Sequence, residues 1–488
     1  MQKNTLWRAI LSGALVLFLA QTRGSQASPA AAQTSSPSAT TANATGGLST
    51  GVVLPDVPEK EDPSQTFALY LPKDYTRTKL WPAIYAFDWA ARGKVPADLY
   101  APAAGKRGYV VIASNNSKNG SARESLEAAM SLWNDTRLRF SIDPKQTYAT
   151  GFSGASRSAF VFADQCGCVE GVIAAGAGLP PVKGTLKSLQ FGVFMTLGLD
   201  DFNYPELVGL EQQLDSAHVP NRLRRFDGEH QWPPAEILAE AVDWMHLLAM
   251  RQGRRPKDET FIAEARAASL ERARGWEKAG DLMNAYEEYR KCAEDFAGLA
   301  DITEFAARTA EMRKSAELQK AERQEREDIA RQSQLVGGIE DQMTSLPAGS
   351  FEARRRLNDL SPMLAELQDR ANRAKDSRDV RVMRRATDDV FATAYEGGLS
   401  RYRQGDVLGA ELSFQVAEII GPKSPGPPYE LAKIYAKTGD KKRALKQLEL
   451  AVARGVKKPE SLKDPPEFET LRGESKYREL VTRLEAAH

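Results

Sequence analysis

A serine on a tight turn, a carboxylate and a histidine can together cleave an ester. The histidine takes the hydroxyl proton, the serine attacks the carbonyl, and the carboxylate holds the imidazole in the tautomer that accepts the proton. The stretch Thr150-Gly151-Phe152-Ser153-Gly154-Ala155 has the residues for the serine. Such a turn from strand to helix needs small neighbours because it packs closely against the flanking strand. Ala155 stands where a glycine is usual and adds one methyl. Downstream, Gly198-Leu199-Asp200-Asp201 offers the acid, and the Gly-x-x-Asp spacing favours Asp201 over Asp200. The base is offered by Asp227-Gly228-Glu229-His230-Gln231-Trp232-Pro233. Of the four histidines, His218 lies at a helix end before a strand, His246 inside a helix and His488 at the terminus. His230 alone stands on a suitable loop.

Those three groups meet only if strands deliver them to one edge of a sheet. From about residue 50 to 250 short β-rich runs alternate with helical stretches, the pattern of a mostly parallel sheet covered by helices. Strands are predicted at Thr66 to Leu71, Ala83 to Phe87, Tyr109 to Ala113, Gln146 to Thr150, Gly171 to Ala175, Gly192 to Leu197 and Arg222 to Phe226. Helices are predicted at Ser125 to Phe140, Ser156 to Gln165, Pro205 to Ala217 and Pro234 to Met250. Ser153, Asp201 and His230 each follow a strand, in the chain order Ser, Asp, His of α/β hydrolases. The expected fold class is α/β: an α/β-hydrolase sheet domain followed by an all-α, tetratricopeptide-like domain.

The segment from about Thr66 to Met250 resembles the esterases related to poly(3-hydroxybutyrate) depolymerases and feruloyl esterases. Three pieces carry the likeness: Ile142-Asp143-Pro144 leading into Tyr148 to Gly154, Gly198 to Asp201, and Gly228 to Pro233. The departures are Ala155 and the absence of a His-Gly pair after the third strand, where Phe87-Asp88-Trp89-Ala90-Ala91-Arg92-Gly93 stands. The resemblance implies a carboxylic-ester hydrolase working through an acyl-enzyme, with no cofactor. Acyl transfer also needs two backbone donors for the oxyanion. One is expected at Gly154 and the second, by position, at Asp88 or Trp89. Trp232 is a candidate wall of the substrate pocket, as is Trp89.

After Arg251 strand signals stop, and Ala, Glu, Arg, Leu and Lys dominate. A 34-residue period pairs Gly405 with Gly439, Asp406 with Asp440, Ala410 with Ala444, Phe414 with Leu448 and Ala417 with Ala451, the tetratricopeptide length. Trp276, Gly280-Asp281, Ala285 and Tyr289 repeat the spacing earlier. Lys314 to Ser333, charged nearly all round, reads as a solvated helix. The organisation expected is a signal peptide over 1–27, a flexible leader over 28–50, the hydrolase over 51–250, a first helical repeat over 251–300, a helical connector over 301–385, and two repeats with a terminal cap over 386–488. On this division a chain ending near Arg251 should fold and keep its activity.

Composition narrows the function classes. With 66 basic and 65 acidic side chains, no global field favours nucleic acid or an anionic membrane. Lys3 and Arg8 precede or flank the apolar run Ala9 to Ala20, and Ser25-Gln26-Ala27 supplies small residues for cleavage. A periplasmic or secreted protein is expected, without stable membrane insertion. Three cysteines exclude a disulfide framework. Cys166 and Cys168 are expected to stay unbridged, since the loop they close is very small, and no residues have metal-ligand spacing. The expected partners are a small or polymeric ester and, through the helical repeats, a protein. Two other readings keep these residues: a repeat-based scaffolding protein with a degenerate hydrolase domain, and a serine peptidase. The ordered triad argues against the first, and the absence of a propeller against the second.

Overall fold

Eight strands form one sheet in the order β1-β2-β4-β3-β5-β6-β7-β8. They are β1 (Val53–Pro58), β2 (Thr66–Tyr70), β3 (Trp81–Phe87), β4 (Val110–Ser114), β5 (Ile142–Phe152), β6 (Gly171–Ala175), β7 (Gly192–Gly198) and β8 (Asn221–Phe226). The computed structural model describes residues 47–180, 189–344, 351–373 and 377–486. The signal peptide and most of the leader expected before Gly47 lie outside the described residues, as does His488. No described helix is long and apolar enough to cross a membrane.

β1 and β2 pair antiparallel, as do β2 and β4, and from β4 through β8 every neighbour is parallel. Several inner parallel strands are largely apolar, as burial on both faces requires: Val110 to Ala113, Gly171 to Ala175 and Gly192 to Leu197 are all buried. Helices α1 (Lys94–Arg107) and α5 (Ala235–Arg251) cover one face through Tyr100, Leu238, Trp244 and Met245. On the other face lie α2 (Ala122–Arg139), α3 (Gly154–Cys166) and α4 (Tyr204–Ser216), through Leu132, Phe160, Phe162 and Leu207.

The chain divides into two compact units at Ile329. The sheet unit goes on through α6 (Glu259–Ala279), α7 (Leu282–Asp295), α8 (Thr303–Met312) and the first part of α9 (Ala316–Thr344). Leu247 and Met250 of α5 share a core with Phe261, Ile262, Ala285, Tyr289, Phe296 and Phe305. Beneath that core the last strand carries three buried arginines. Arg222 binds Glu288 at 2.7 Å and Asp295 at 2.6 Å, and Arg224 binds Glu288 at 3.0 Å and Glu240 at 2.8 Å. Arg225 lies 3.3 Å from Glu325 and 3.5 Å from Glu211. Burial alone would raise the Glu288 carboxyl, but Arg222, Arg224 and Arg272 hold it well below the usual carboxylate range. A chain cut at Arg251 would lose Glu288, Asp295 and Glu325 from around these arginines.

The second unit, from Ala330, holds α10 (Phe351–Ala371), α11 (Arg378–Arg403), α12 (Val407–Ile420), α13 (Gly426–Lys437), α14 (Lys441–Arg454), α15 (Glu460–Lys463) and α16 (Ser475–Ala486). Phe414, Leu431, Leu448, Phe468 and Leu471 are buried at its centre. Ala410 and Ala444, the small residues of the 34-residue period, are fully buried there.

Candidate active site

Ser153 sits between β5 and α3 with φ 59° and ψ −130°, a conformation few side chains adopt. Its strain is held by the turn around it: the Ser153 amide donates to the Ala175 carbonyl at 2.8 Å, and the Ser156 amide donates to the Ser153 carbonyl at 2.9 Å. The two glycines leave no room for a side chain. A Cβ on Gly151 would lie 2.1 Å from the Ala155 carbonyl oxygen, and one on Gly154 would lie 2.4 Å from Asn119 Oδ1. The methyl of Ala155 is accommodated, buried in the core beside the sheet.

The other two groups arrive as the strand ends direct. His230 Nε2 lies 2.8 Å from Ser153 Oγ, and His230 Nδ1 lies 2.9 and 3.0 Å from the two Asp201 oxygens. The His230 side chain is 5% exposed and that of Asp201 is 1% exposed, so water barely competes for these bonds. Asp201 is fixed in turn by the Asn203 amide, which donates to Oδ1 at 2.8 Å, while Asn203 Nδ2 donates to the Gly176 carbonyl at 2.7 Å. Phe152 and Phe202 flank the imidazole, their ring centroids 4.7 and 4.4 Å from it. Asp200 is on the same loop, and its amide donates to the Gly228 carbonyl at 2.9 Å.

His218 and His246 serve elsewhere. His218 occupies a left-handed turn before β8. His246 is buried in α5, where Arg255 donates to its Nδ1 at 2.9 Å. Burial, with Arg255 adding to it, pushes that imidazole down to about 3.

The loop after β3 is more ordered than its unusual sequence suggests. The Ala90 amide donates to Asp88 Oδ1 and the Ala91 amide to the Asp88 carbonyl, each at 3.0 Å, and Ala91 has a φ of 56°. The Trp89 carbonyl accepts from the Asn119 amide at 2.9 Å. Neither the Trp89 nor the Gly154 amide is taken up by a hydrogen bond among the described residues. Asp88, expected in sequence as an alternative amide donor, has its carboxylate buried in the protein. The Trp232 indole N–H donates to Asp88 Oδ2 at 3.1 Å, and its ring leans on Phe152 with centroids 5.6 Å apart.

Asn119 escapes a reading by motif, because its strand-end loop has no sequence signature. Only the fold brings it against both Trp89 and Gly154. Cys166 and Cys168 are joined by a disulfide, contrary to expectation. A left-handed Gly167 at the end of α3 brings their Cα atoms to 5.1 Å, within the range a bridge spans. Cys292 is buried against Arg222, and burial pushes its thiol up to about 12. Among the described residues no group of three or more His, Cys, Asp or Glu could hold a metal ion.

No protein-family profile matches the chain, and no curated protein sequence is similar to it. Solved structures do resemble it. Substrate-bound FphF, a fluorophosphonate-binding serine hydrolase of Staphylococcus aureus, is 13% identical, with 40% of this chain and 97% of that one covered and a TM-score of 0.32. The S-formylglutathione hydrolase FrmB of the same organism is 14% identical over 41% and 98%, with a TM-score of 0.33. A hyperthermophilic esterase from Pyrobaculum calidifontis is 15% identical over 43% and 88%, with a TM-score of 0.34.

Proposed function

We propose that the protein is an exported serine hydrolase that cleaves carboxylic esters through an acyl-enzyme. The observation that carries this is the continuous hydrogen-bonded line from Ser153 Oγ through His230 to Asp201 at 2.8 to 3.0 Å. In this reading His230 Nε2 takes the Ser153 proton as Oγ attacks the ester carbonyl carbon. The charge on the carbonyl oxygen is met by the Gly154 and Trp89 amides. His230 then returns the proton to the leaving alkoxide, and the C–O bond breaks. Water, deprotonated by His230, attacks the acyl-enzyme and releases the acid and Ser153. Asp201 holds the Nδ1–H tautomer throughout and balances the imidazolium.

Export is supported by the apolar run Ala9 to Ala20 with its cleavage residues, and a Cys166–Cys168 bridge suits an oxidising compartment. For the helical region we propose a tetratricopeptide-like role in recognising a protein partner or a polymeric substrate, supported by the recurring Gly-Asp turns.

Turnover of 4-nitrophenyl acetate by the mature chain tests the catalytic assignment. Ser153→Ala should abolish it while the circular dichroism spectrum stays unchanged, and undiminished turnover would remove Ser153 from the chemistry. Asp201→Asn should lower kcat by about 10⁴-fold, the scale on which the wrong tautomer acts in a comparable triad. Asp200→Asn should cost far less, because Asp201 holds His230 Nδ1 through its carboxylate.

A further inference from the structure

The two loops that this chemistry must hold together, residues 88–92 after β3 and residues 227–233 after β8, lie at opposite ends of the sheet domain's sequence. One carboxylate bonds to both. Asp88 is 0% exposed, and each of its oxygens accepts two hydrogen bonds. Oδ1 takes the Ala90 amide at 3.0 Å and Arg92 Nε at 2.8 Å, while Oδ2 takes Arg92 Nη2 at 3.1 Å and Trp232 Nε1 at 3.1 Å. A carboxylate taken out of water is costly unless every lone pair is met. Here the donors are divided between the oxyanion loop and the loop of the base.

Each donor fixes something the reaction uses. The Ala90 bond, with the left-handed Ala91, sets the turn that presents the Trp89 amide. Arg92 lies over the Trp89 ring, 4.9 Å from its centroid, and holds that side chain against the same turn. Trp232 is two residues beyond His230, and its ring packs on Phe152, which itself packs on the imidazole. A shift of the indole therefore moves Phe152, one of the two rings that flank His230.

The geometry points to Asp88 as a positioning residue that, through Trp232, sets His230 against the oxyanion donors of the Trp89 loop. This rests on the reading of Ser153 as the nucleophile. A displacement on the order of 1 Å between such groups costs about a hundredfold in rate. A purely structural Asp88 would instead lower stability and leave the rate of the folded enzyme unchanged.

Asp88→Asn and Trp232→Phe, alone and together in the full mature chain, separate the two roles. The second variant keeps an aromatic ring on Phe152 and removes the indole donor. The measurements are the rate at which a fluorophosphonate labels Ser153, kcat and KM on 4-nitrophenyl acetate, and the melting temperature. Each single variant should lower the labelling rate and kcat by about tenfold to a hundredfold with KM nearly constant. The double variant should be no slower than the worse single one, because both cut the same bond. Losses that multiply, or a lower melting temperature with kcat unchanged, overturn the proposal. If Asp88→Asn does not fold, an unchanged kcat in Trp232→Phe overturns it alone. A wild-type Ser153 that takes no label would remove the nucleophile reading and this one with it. Labelled wild type with unimpaired variants would remove only this one.

Discussion

Three helical hairpins in this chain turn on the same two residues, and two of them end in one compact unit while the third ends in the other. Gly280, Gly405 and Gly439 have φ of 80°, 83° and 83°, and the aspartate after each caps the next helix by accepting from the amide three residues on. Locally the turns are interchangeable. What differs is the face behind them. On α14 the buried residues are Ala444, Leu448 and Ala451, which need only another apolar helix. On α7 they include Glu288, Lys291 and Asp295, which meet Arg222, Arg224 and Asp215 of the sheet domain. A turn motif thus specifies a hairpin but not its neighbour. The charges on the buried face do that.

The strongest test of this contrast is truncation. A chain ending at Ile329 should keep its fold and ester turnover. One ending at Arg251 bares Leu247 and Met250, takes Asp295 from the Trp244 indole, and strips the β8 arginines of Glu288 and Glu325. It should aggregate or melt far lower, and equal stability of the two fragments would break the comparison. Within the full chain, Glu288→Gln leaves buried guanidiniums without their shared carboxylate, which costs about 3–5 kcal/mol. In a domain of this size that lowers the melting temperature by roughly 10 °C.

A pH effect tests the same junction, since His246 of α5 packs on Phe261 of α6. The folded chain keeps this imidazole neutral down to about 3, while the unfolded chain protonates it below the ordinary value of 6.5. The stability it contributes is therefore complete above 6.5 and falls as pH drops toward 3, by roughly 1.4 kcal/mol per pH unit. His246→Gln should flatten that limb of the stability curve, measured by urea unfolding between pH 4 and 7. The smallest effect belongs to what the hairpins share. Asp281→Ala and Asp440→Ala should each cost about 1 kcal/mol, the worth of one cap. A much larger loss at Asp281 would mean that its turn also carries the junction.

Legibility in the sequence follows the same division between local and distant causes. Inner strands such as Gly171–Ala175 are readable because burial on both faces makes them apolar runs, and the order of Ser153, Asp201 and His230 is readable because each follows a segment with strand character, although the one before His230 carries three arginines. Strand β1, VLPDVP, was missed because an edge strand with two prolines and exposed positions lacks that signal. Helix α1 was missed for its Pro96, its internal Pro102 and its glycine. Acids on α7 resemble a solvated face until the arginines of β8 are placed beside them. For Asp88, the partner that gives it meaning is Trp232, far away along the chain.

The central claim is that Ser153 is a nucleophile activated by His230. Incubating the mature chain with a fluorophosphonate and mapping the adduct by peptide mass spectrometry tests it most directly. One adduct should form, on Ser153, absent in Ser153→Ala and greatly slowed in His230→Ala. An adduct on another residue, or labelling as fast without His230 as with it, would contradict the account.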